Sequence, residues 1–314
     1  MNSSTTVTST DGVSLAVHAY TDLDPQRPTI LAIHGYPDNH HVWDPVAHEL
    51  VASYPGRYNV VAYDVRGAGA SSSPADRSGY RLPQLIADIG AVIEHLGVDN
   101  VHLLGHDWGS IQGWAAVTDP VLGPKITSYT SISGPHLDYA GKFLRSPRNL
   151  RGFLDVARQI LESSYIWLFL TPRVPEALFR SGFGGRLIDT LERIGRSGRP
   201  RRATHRAEND YVNGLNLYRA NMPRPLMKPS VPLPSTDVAV QVLAPRLDLF
   251  VSPALQRFTG AIPPRHRVLD IDGGHWVVTD RPEMIARLTG EWVDQNVAGS
   301  ADASGRDVPD IRQS

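Results

Sequence analysis

Residues 101–110 read Val-His-Leu-Leu-Gly-His-Asp-Trp-Gly-Ser. No other ten residues restrict the fold of this chain so strongly. A short β-rich run enters Gly105-His-Asp107-Trp-Gly109, and a helix is expected after Gly109. Glycines two before and two after the central residue permit a turn too tight for side chains. Asp107 is thereby placed on a sharp bend at a strand's carboxyl end, over a helix N-terminus. Its neighbour His106 is expected to diverge from it at the bend. Gly113, four residues past Gly109, would let the helix lie close to a sheet.

The rest of the chain supplies such a sheet. Residues 14–20 alternate like a half-buried strand. Residues 29–33, 58–63, 101–104 and 126–132 are short β-rich runs, and residues 82–96 carry apolar side chains at helical spacing up to Gly97. This alternation predicts a mostly parallel sheet flanked by helices, an α/β fold. From Pro135 to about Pro234 only helical pieces are read. Strands resume at 238–243 and 267–271, and a helix over 281–297 closes the pattern. The expected organisation is a core of 1–134 and 235–297, a helical cap over 135–234, and a flexible tail or linker over 298–314.

With 31 Lys and Arg against 32 Asp and Glu, the chain lacks the basic excess of a general nucleic-acid binder. It has no cysteine, which removes disulfides, thiolate metal sites and a cysteine nucleophile. The first eleven residues have neither the basic start nor the apolar run of a signal peptide, and no run of about 18 apolar residues could span a bilayer. The expectation is a soluble, cytoplasmic protein.

An aspartate at the bend could cap the following helix. It also makes chemical sense as a nucleophile toward saturated carbon. A serine would leave an ether there, which water does not readily cleave, whereas a carboxylate leaves an ester whose carbonyl water can attack. The leaving group would be an epoxide oxygen or a halide.

Three further motifs stand in order around this one: His34-Gly35-Tyr36-Pro37, Asp64-Val-Arg66-Gly67-Ala-Gly69-Ala-Ser71, and Gly273-Gly274-His275-Trp276. Together the four resemble the epoxide hydrolase branch of the α/β-hydrolase superfamily, over about residues 10–297. The resemblance implies an α/β-hydrolase fold and a chain order of nucleophile, acid and histidine. His275 then becomes the base and Asp248 its orienting acid, with Asp138 the alternative position used by some related dehalogenases. It further implies backbone N–H donors at Tyr36 and Trp108 for an oxyanion, a cis Tyr36–Pro37 bond, and support of that loop by His34, Gly35 and Pro37. The segment 64–71 reads as a structural turn. Tyr165 and Tyr218 match the tyrosine pair that holds and protonates an epoxide oxygen, a task suited to a phenol with a pKa near 10. Trp167 and Phe169, beside Tyr165, are expected in the substrate pocket. No metal or organic cofactor is called for.

Two other functions compete. A haloalkane dehalogenase would use the same Asp107, with indole N–H donors at Trp108 and Trp167 for halide; where many of those enzymes have Asn, this chain has Tyr36. A ligand-binding or non-catalytic domain of a larger protein is the other. The polar tail is similar to that of bacterial proteins in which such a hydrolase precedes a short-chain dehydrogenase, although no Gly-x-x-x-Gly-x-Gly motif follows here.

Charge is unevenly distributed. Residues 142–206 hold fourteen Lys and Arg (Lys142, Arg145, Arg148, Arg151, Arg158, Arg173, Arg180, Arg186, Arg193, Arg196, Arg199, Arg201, Arg202 and Arg206) and five acids, a balance of +9, so the remainder is −10. Solvated helix faces account for this. A basic entrance for an amphiphilic or fatty epoxide, with peripheral membrane contact, accounts for it as well.

Overall fold

The computed structural model describes residues 3–147, 149–193 and 205–297. The expected tail, 298–314, and five of the arginines counted over 142–206 (Arg148, Arg196, Arg199, Arg201 and Arg202) lie outside the described residues.

Short runs of Val, Ile, Leu and Ala build the sheet. β1 (Ser3–Thr8), β2 (Ser14–Ala19), β3 (Thr29–Ile33), β4 (Asn59–Tyr63), β5 (Val101–His106), β6 (Ile126–Ile132), β7 (Ala239–Leu247) and β8 (His266–Gly274) lie side by side in the order 1-2-4-3-5-6-7-8. β1 and β2 run antiparallel to their neighbours, and all later pairs are parallel. β3, β4 and β5 are buried along their whole length. Strands covered on both faces read as continuous apolar runs, which is why their sequences were legible. β1 was not anticipated. Its Ser-Ser-Thr-Thr-Val-Thr sequence buries only Val7, and backbone pairing to β2 at the sheet edge defines it.

Helices α1 (Asp44–Ser53), α2 (Leu82–Leu96) and α3 (Trp108–Val117) intervene between the early strands. Between β6 and β7 stand seven more among the described residues: α4 (Leu137–Leu144), α5 (Leu150–Glu162), α6 (Tyr165–Leu170), α7 (Val174–Arg180), α8 (Phe183–Arg193), α9 (Glu208–Asn221) and α10 (Arg224–Met227). α11 (Pro253–Gly260) links β7 to β8, and α12 (Val277–Asp280) and α13 (Pro282–Gln295) close the chain that is described. Among the described residues no helix is long and apolar enough to cross a membrane.

The strand order reverses between β3 and β5, since β3 leads to β4 on one side while β5 and β6 lie on the other. In parallel sheets the crevice beyond the carboxyl ends at such a reversal is where ligands bind. The loop after β3 and the turn after β5 flank that crevice.

Candidate active site

Asp107 leaves β5 with φ 51° and ψ −120°, a left-handed conformation that costs a non-glycine residue energy. Its surroundings impose the conformation. The Asp107 N–H donates to the Ile132 carbonyl at 3.0 Å, and its own carbonyl accepts from Ile111 N–H at 3.0 Å as α3 begins. A Cβ on Gly109 would collide with the carbonyls of Ile33 and His34, so only glycine lets α3 approach β3 this closely. Gly35 meets the same limit against the Asp107 side chain. The sharp bend thus follows from crowding by backbone on both sides.

Asp107 is 6% exposed and faces three groups. The N–H of Tyr36 donates to Oδ1 at 2.7 Å. Nε2 of His275 lies 3.5 Å from Oδ2. Across the cavity stand Tyr165 and Tyr218, at the start of α6 and within α9. The Tyr36–Pro37 peptide is cis. His34 sits behind this loop, where its Nε2 accepts from the N–H of Val65 at 2.8 Å and its Nδ1 lies 2.9 Å from the Gly35 carbonyl. Trp108 supplies the first helical residue of α3, and its indole packs edge-on against Tyr218 at 5.0 Å. Of the two expected N–H donors, Tyr36 is the one bonded to the carboxylate.

His275 follows β8, and its Nδ1 lies 3.0 Å from Oδ1 of Asp248. Asp248 is fully buried just beyond β7. It accepts from the N–H groups of Phe250 and Val251 at 2.9 and 3.1 Å and from Gln256 Nε2 at 3.2 Å. Burial alone would raise its pKa, but His275 and these donors outweigh burial and hold the carboxyl below its usual range. Burial likewise opposes the His275 imidazolium, yet Asp248 on one side and Asp107 on the other carry its pKa up to about 10. Asp138 is placed elsewhere. It lies in the first turn of α4, accepting from Ser230 N–H at 2.7 Å with its other oxygen 4.0 Å from His136. The structure therefore brings Asp248, not Asp138, to the histidine. His106 turns away from the cavity as expected, bonding the His275 carbonyl through Nε2 at 2.8 Å.

The two phenols interact through their hydroxyls, and the rings lie 6.1 Å apart. Burial, chiefly, and the nearby Asp107 carboxylate push both well above the ordinary tyrosine value, so each is a neutral O–H donor at physiological pH. Around them the cavity has two arms. One of about 450 Å³ runs from Asp107 past Trp108, Ile111 and Leu137 toward the surface near Ile160 and Trp167. A smaller arm of about 120 Å³ continues between Phe169, Phe179 and Ile188. Phe169 packs edge-on against Tyr36, Tyr165 and Tyr218 at 5.2–5.5 Å. Trp167, in contrast, is 62% exposed at the mouth.

The chain matches the family model described as alpha/beta hydrolase fold over residues 28–282. The chain belongs to the α/β-hydrolase fold family. Among curated relatives, it is 33% identical over 298 residues to the "Probable oxidoreductase EphD" of Mycobacterium tuberculosis, an alignment covering 92% of this chain and 49% of that protein. It is 35% identical over 155 residues to mouse "Epoxide hydrolase 4", covering 49% of this chain and 38% of the relative. It thus spans about half the length of the first of these relatives, and less of the second. The solved epoxide hydrolase of Bacillus megaterium in complex with an inhibitor shares the fold, with a TM-score of 0.73 at 20% identity, covering 93% of this chain and all of that one.

Several residues at the site escaped the sequence reading. Phe250 covers His275 at 4.7 Å and Tyr165 at 5.4 Å. Asp38, one residue beyond Pro37, accepts from Trp276 Nε1 at 2.9 Å and from Arg206 Nε at 2.6 Å, while Arg206 also reaches Glu192 at 3.2 Å. Burial works against the Asp38 charge, but Arg206 holds the carboxyl below its ordinary value. This buried pair ties the helical segment to the loop that carries Tyr36. Its partners are 168 residues apart, and only the position of Asp38 in the His34–Pro37 motif hinted at it. The segment 64–71 is structural in its contacts. Asp64 accepts from the N–H of His40 and of Ala70 and lies 3.1 and 2.8 Å from ring nitrogens of His18 and His40.

Proposed function

We propose that the chain is an epoxide hydrolase that converts an epoxide to a vicinal diol through an ester on Asp107, with residues 135–234 acting as its cap. The observation that carries this reading is the placement of Asp107 between the Tyr36 N–H and His275, facing two protonated tyrosines across an apolar cavity. The name of the mouse relative, "Epoxide hydrolase 4", supports it, whereas the longer-matching mycobacterial relative is named a probable oxidoreductase.

Tyr165 and Tyr218 hold the epoxide oxygen. Oδ2 of Asp107 attacks a ring carbon from the opposite side, the C–O bond breaks, and a tyrosine proton passes to the oxygen. Oδ1, already bonded to the Tyr36 N–H, becomes the ester carbonyl. Esterification also removes the negative charge of Asp107. One of the two carboxylates that stabilise the His275 imidazolium is then gone, its pKa falls, and its proton can return toward the tyrosinate. Neutral His275, oriented by Asp248, next takes a proton from water as that water attacks the ester carbon. The oxyanion on Oδ1 is met by the N–H groups of Tyr36 and Trp108, and collapse releases the diol.

The test is one turnover with excess enzyme in ¹⁸O-water, followed by mass analysis of the Asp107 peptide and the diol. The ester route puts label into the Asp107 carboxylate and leaves the first diol unlabelled. Label in the diol alone overturns it. Asp107→Asn protein that still turns over would equally remove the nucleophile from this role, and wild-type protein without turnover would favour a binding domain. For the dehalogenase alternative, a halide held by Trp167 would remain in water at the mouth, so the desolvated halide site that reading needs is poorly served. Release of halide from chloroalkanes without diol formation from epoxides would restore it.

A further inference from the structure

α5 faces the wrong way for an ordinary surface helix. Leu150, Phe153, Leu154, Ala157, Ile160 and Leu161 recur at three- and four-residue spacing and form one apolar stripe. Such a stripe normally turns to the core. Here it turns outward: its Leu, Ile and Phe side chains are 58–76% exposed, while Val156 and Gln159 take the buried side. Gln159 is fixed there by hydrogen bonds to the Phe250 carbonyl and the Ser252 N–H, so the orientation of the helix is determined by its polar residue.

The stripe continues to the mouth of the larger cavity arm. Ile160, Trp167 and Met227 are exposed and also line that arm, which leads to Asp107. Cations border it. Arg151, within α5, and Arg145 are exposed, and no carboxylate pairs with them among the described residues. Arg145 lies at the mouth itself, where among the described residues its guanidinium is bonded to carbonyls, those of Gly141 at 2.9 Å, Leu226 and Met227. Hydrogen bonds to carbonyls leave its full charge available to an anion.

An outward apolar stripe with an exposed tryptophan and an unpaired basic border is complementary to the headgroup region of an anionic bilayer. We propose that this face of the cap docks on anionic lipid membranes, placing the mouth of the active-site cavity against the bilayer. Leu150, Phe153, Leu154 and Leu161 enter the interface, and Arg145 and Arg151 meet lipid phosphates. An apolar substrate dissolved in the bilayer then reaches Asp107 without crossing water. The surface is argued from exposure and charge, independently of the reaction assigned to the cavity.

The test is flotation of the full chain with vesicles of phosphatidylcholine, with and without phosphatidylglycerol. Binding is expected only with phosphatidylglycerol, weakening as salt rises. The double variant Phe153→Glu/Leu154→Glu, both outside the cavity lining, should lower partitioning by at least about tenfold with an unchanged melting profile. Should that variant melt abnormally, Leu161→Glu serves with the same readout. Failure of the wild type to bind the anionic vesicles, or equal binding by wild type and variant, overturns the proposal. So does a wild-type dimer in ultracentrifugation that the same variant dissociates without any lipid binding, which would assign the stripe to a second copy of the chain.

Discussion

The two halves of the site are held in place by different means. On the core side, Asp107, Tyr36, His275 and Asp248 sit at the ends of strands, and backbone fixes them: a left-handed turn, a glycine pressed against a neighbouring strand, N–H groups aimed at carboxylates. On the cap side, Tyr165 and Tyr218 project from helices, and ring packing against Phe169, Phe250 and Trp108 positions them. A geometry set by backbone tolerates little change, whereas packing on helices can shift by fractions of an ångström. The core half should therefore behave as all-or-none, and the cap half as graded.

The largest effect is expected at His275. His275→Gln keeps a polar side chain between Asp248 and Asp107 but offers no base. Turnover should fall by about 10⁶-fold, with the intact protein gaining the mass of one substrate molecule as ester accumulates. If turnover falls without that mass appearing, the base acts earlier than the ester and the division of labour within the core half is wrong. Asp248→Asn should cost about 10⁴-fold, by analogy with the loss of an orienting acid in other triads, again with the ester trapped. Asp138→Asn should leave the rate alone, because Asp138 contacts the Ser230 backbone and not the histidine.

Graded behaviour is the test of the cap. Tyr165→Phe and Tyr218→Phe should each lower the rate of ester formation by about 10- to 100-fold, and the pair by 10²–10⁴. The remaining phenol can still donate in either single variant. Pre-steady-state quenching of tryptophan fluorescence would report that step directly. Loss of all activity in one single variant would show that the two tyrosines are not shared donors.

The difference between the halves also explains what the sequence disclosed. Asp107 and His275 were legible because a backbone turn needs glycine at set distances, and Gly105, Gly109, Gly273 and Gly274 mark those turns. Most core strands were found within a residue or two at their start for a similar reason, since burial on both faces demands unbroken apolar runs. Asp248 was preferred over Asp138 only through the resemblance, since each follows a strand and only the sheet order places one of them beside β8. The Asp38–Arg206 pair was invisible because nothing local records a contact between such distant partners. α5 was read only as one of the helical pieces over 135–234, and which of its sides faces water depended on Gln159 meeting Phe250 and Ser252, a tertiary fact.

Charge separates the halves too. The tyrosines stay neutral across the physiological range, so pH should act on the core half. Burial disfavours the His275 cation, but Asp248 and Asp107 hold its pKa at about 10, above the unfolded value of 6.5. A group whose folded value is raised stabilises the fold fully below the unfolded value, and that contribution is lost as pH rises through the folded one. Wild-type protein should thus lose on the order of 2–4 kcal/mol between about pH 6.5 and 10 beyond what His275→Gln loses, measured by urea unfolding at both limits. Parallel loss in the two proteins would mean that the imidazolium is not held between the carboxylates.

The smallest effect belongs to Trp167, and its smallness is informative. A halide leaving group needs donors in a dry site, where losing one indole N–H would cost orders of magnitude. Trp167 is 62% exposed and lies at the mouth, outside the contacts that fix the two tyrosines. Trp167→Phe keeps an aromatic surface, smaller by one ring, and removes the N–H. Turnover of a short, water-soluble epoxide should change by less than about threefold, within the range of a lost exposed hydrogen bond. A hundredfold loss would move Trp167 into the catalytic cavity and make the cap half as exacting as the core. It would also return the halide reading to contention, because that variant removes the donor such a reading requires.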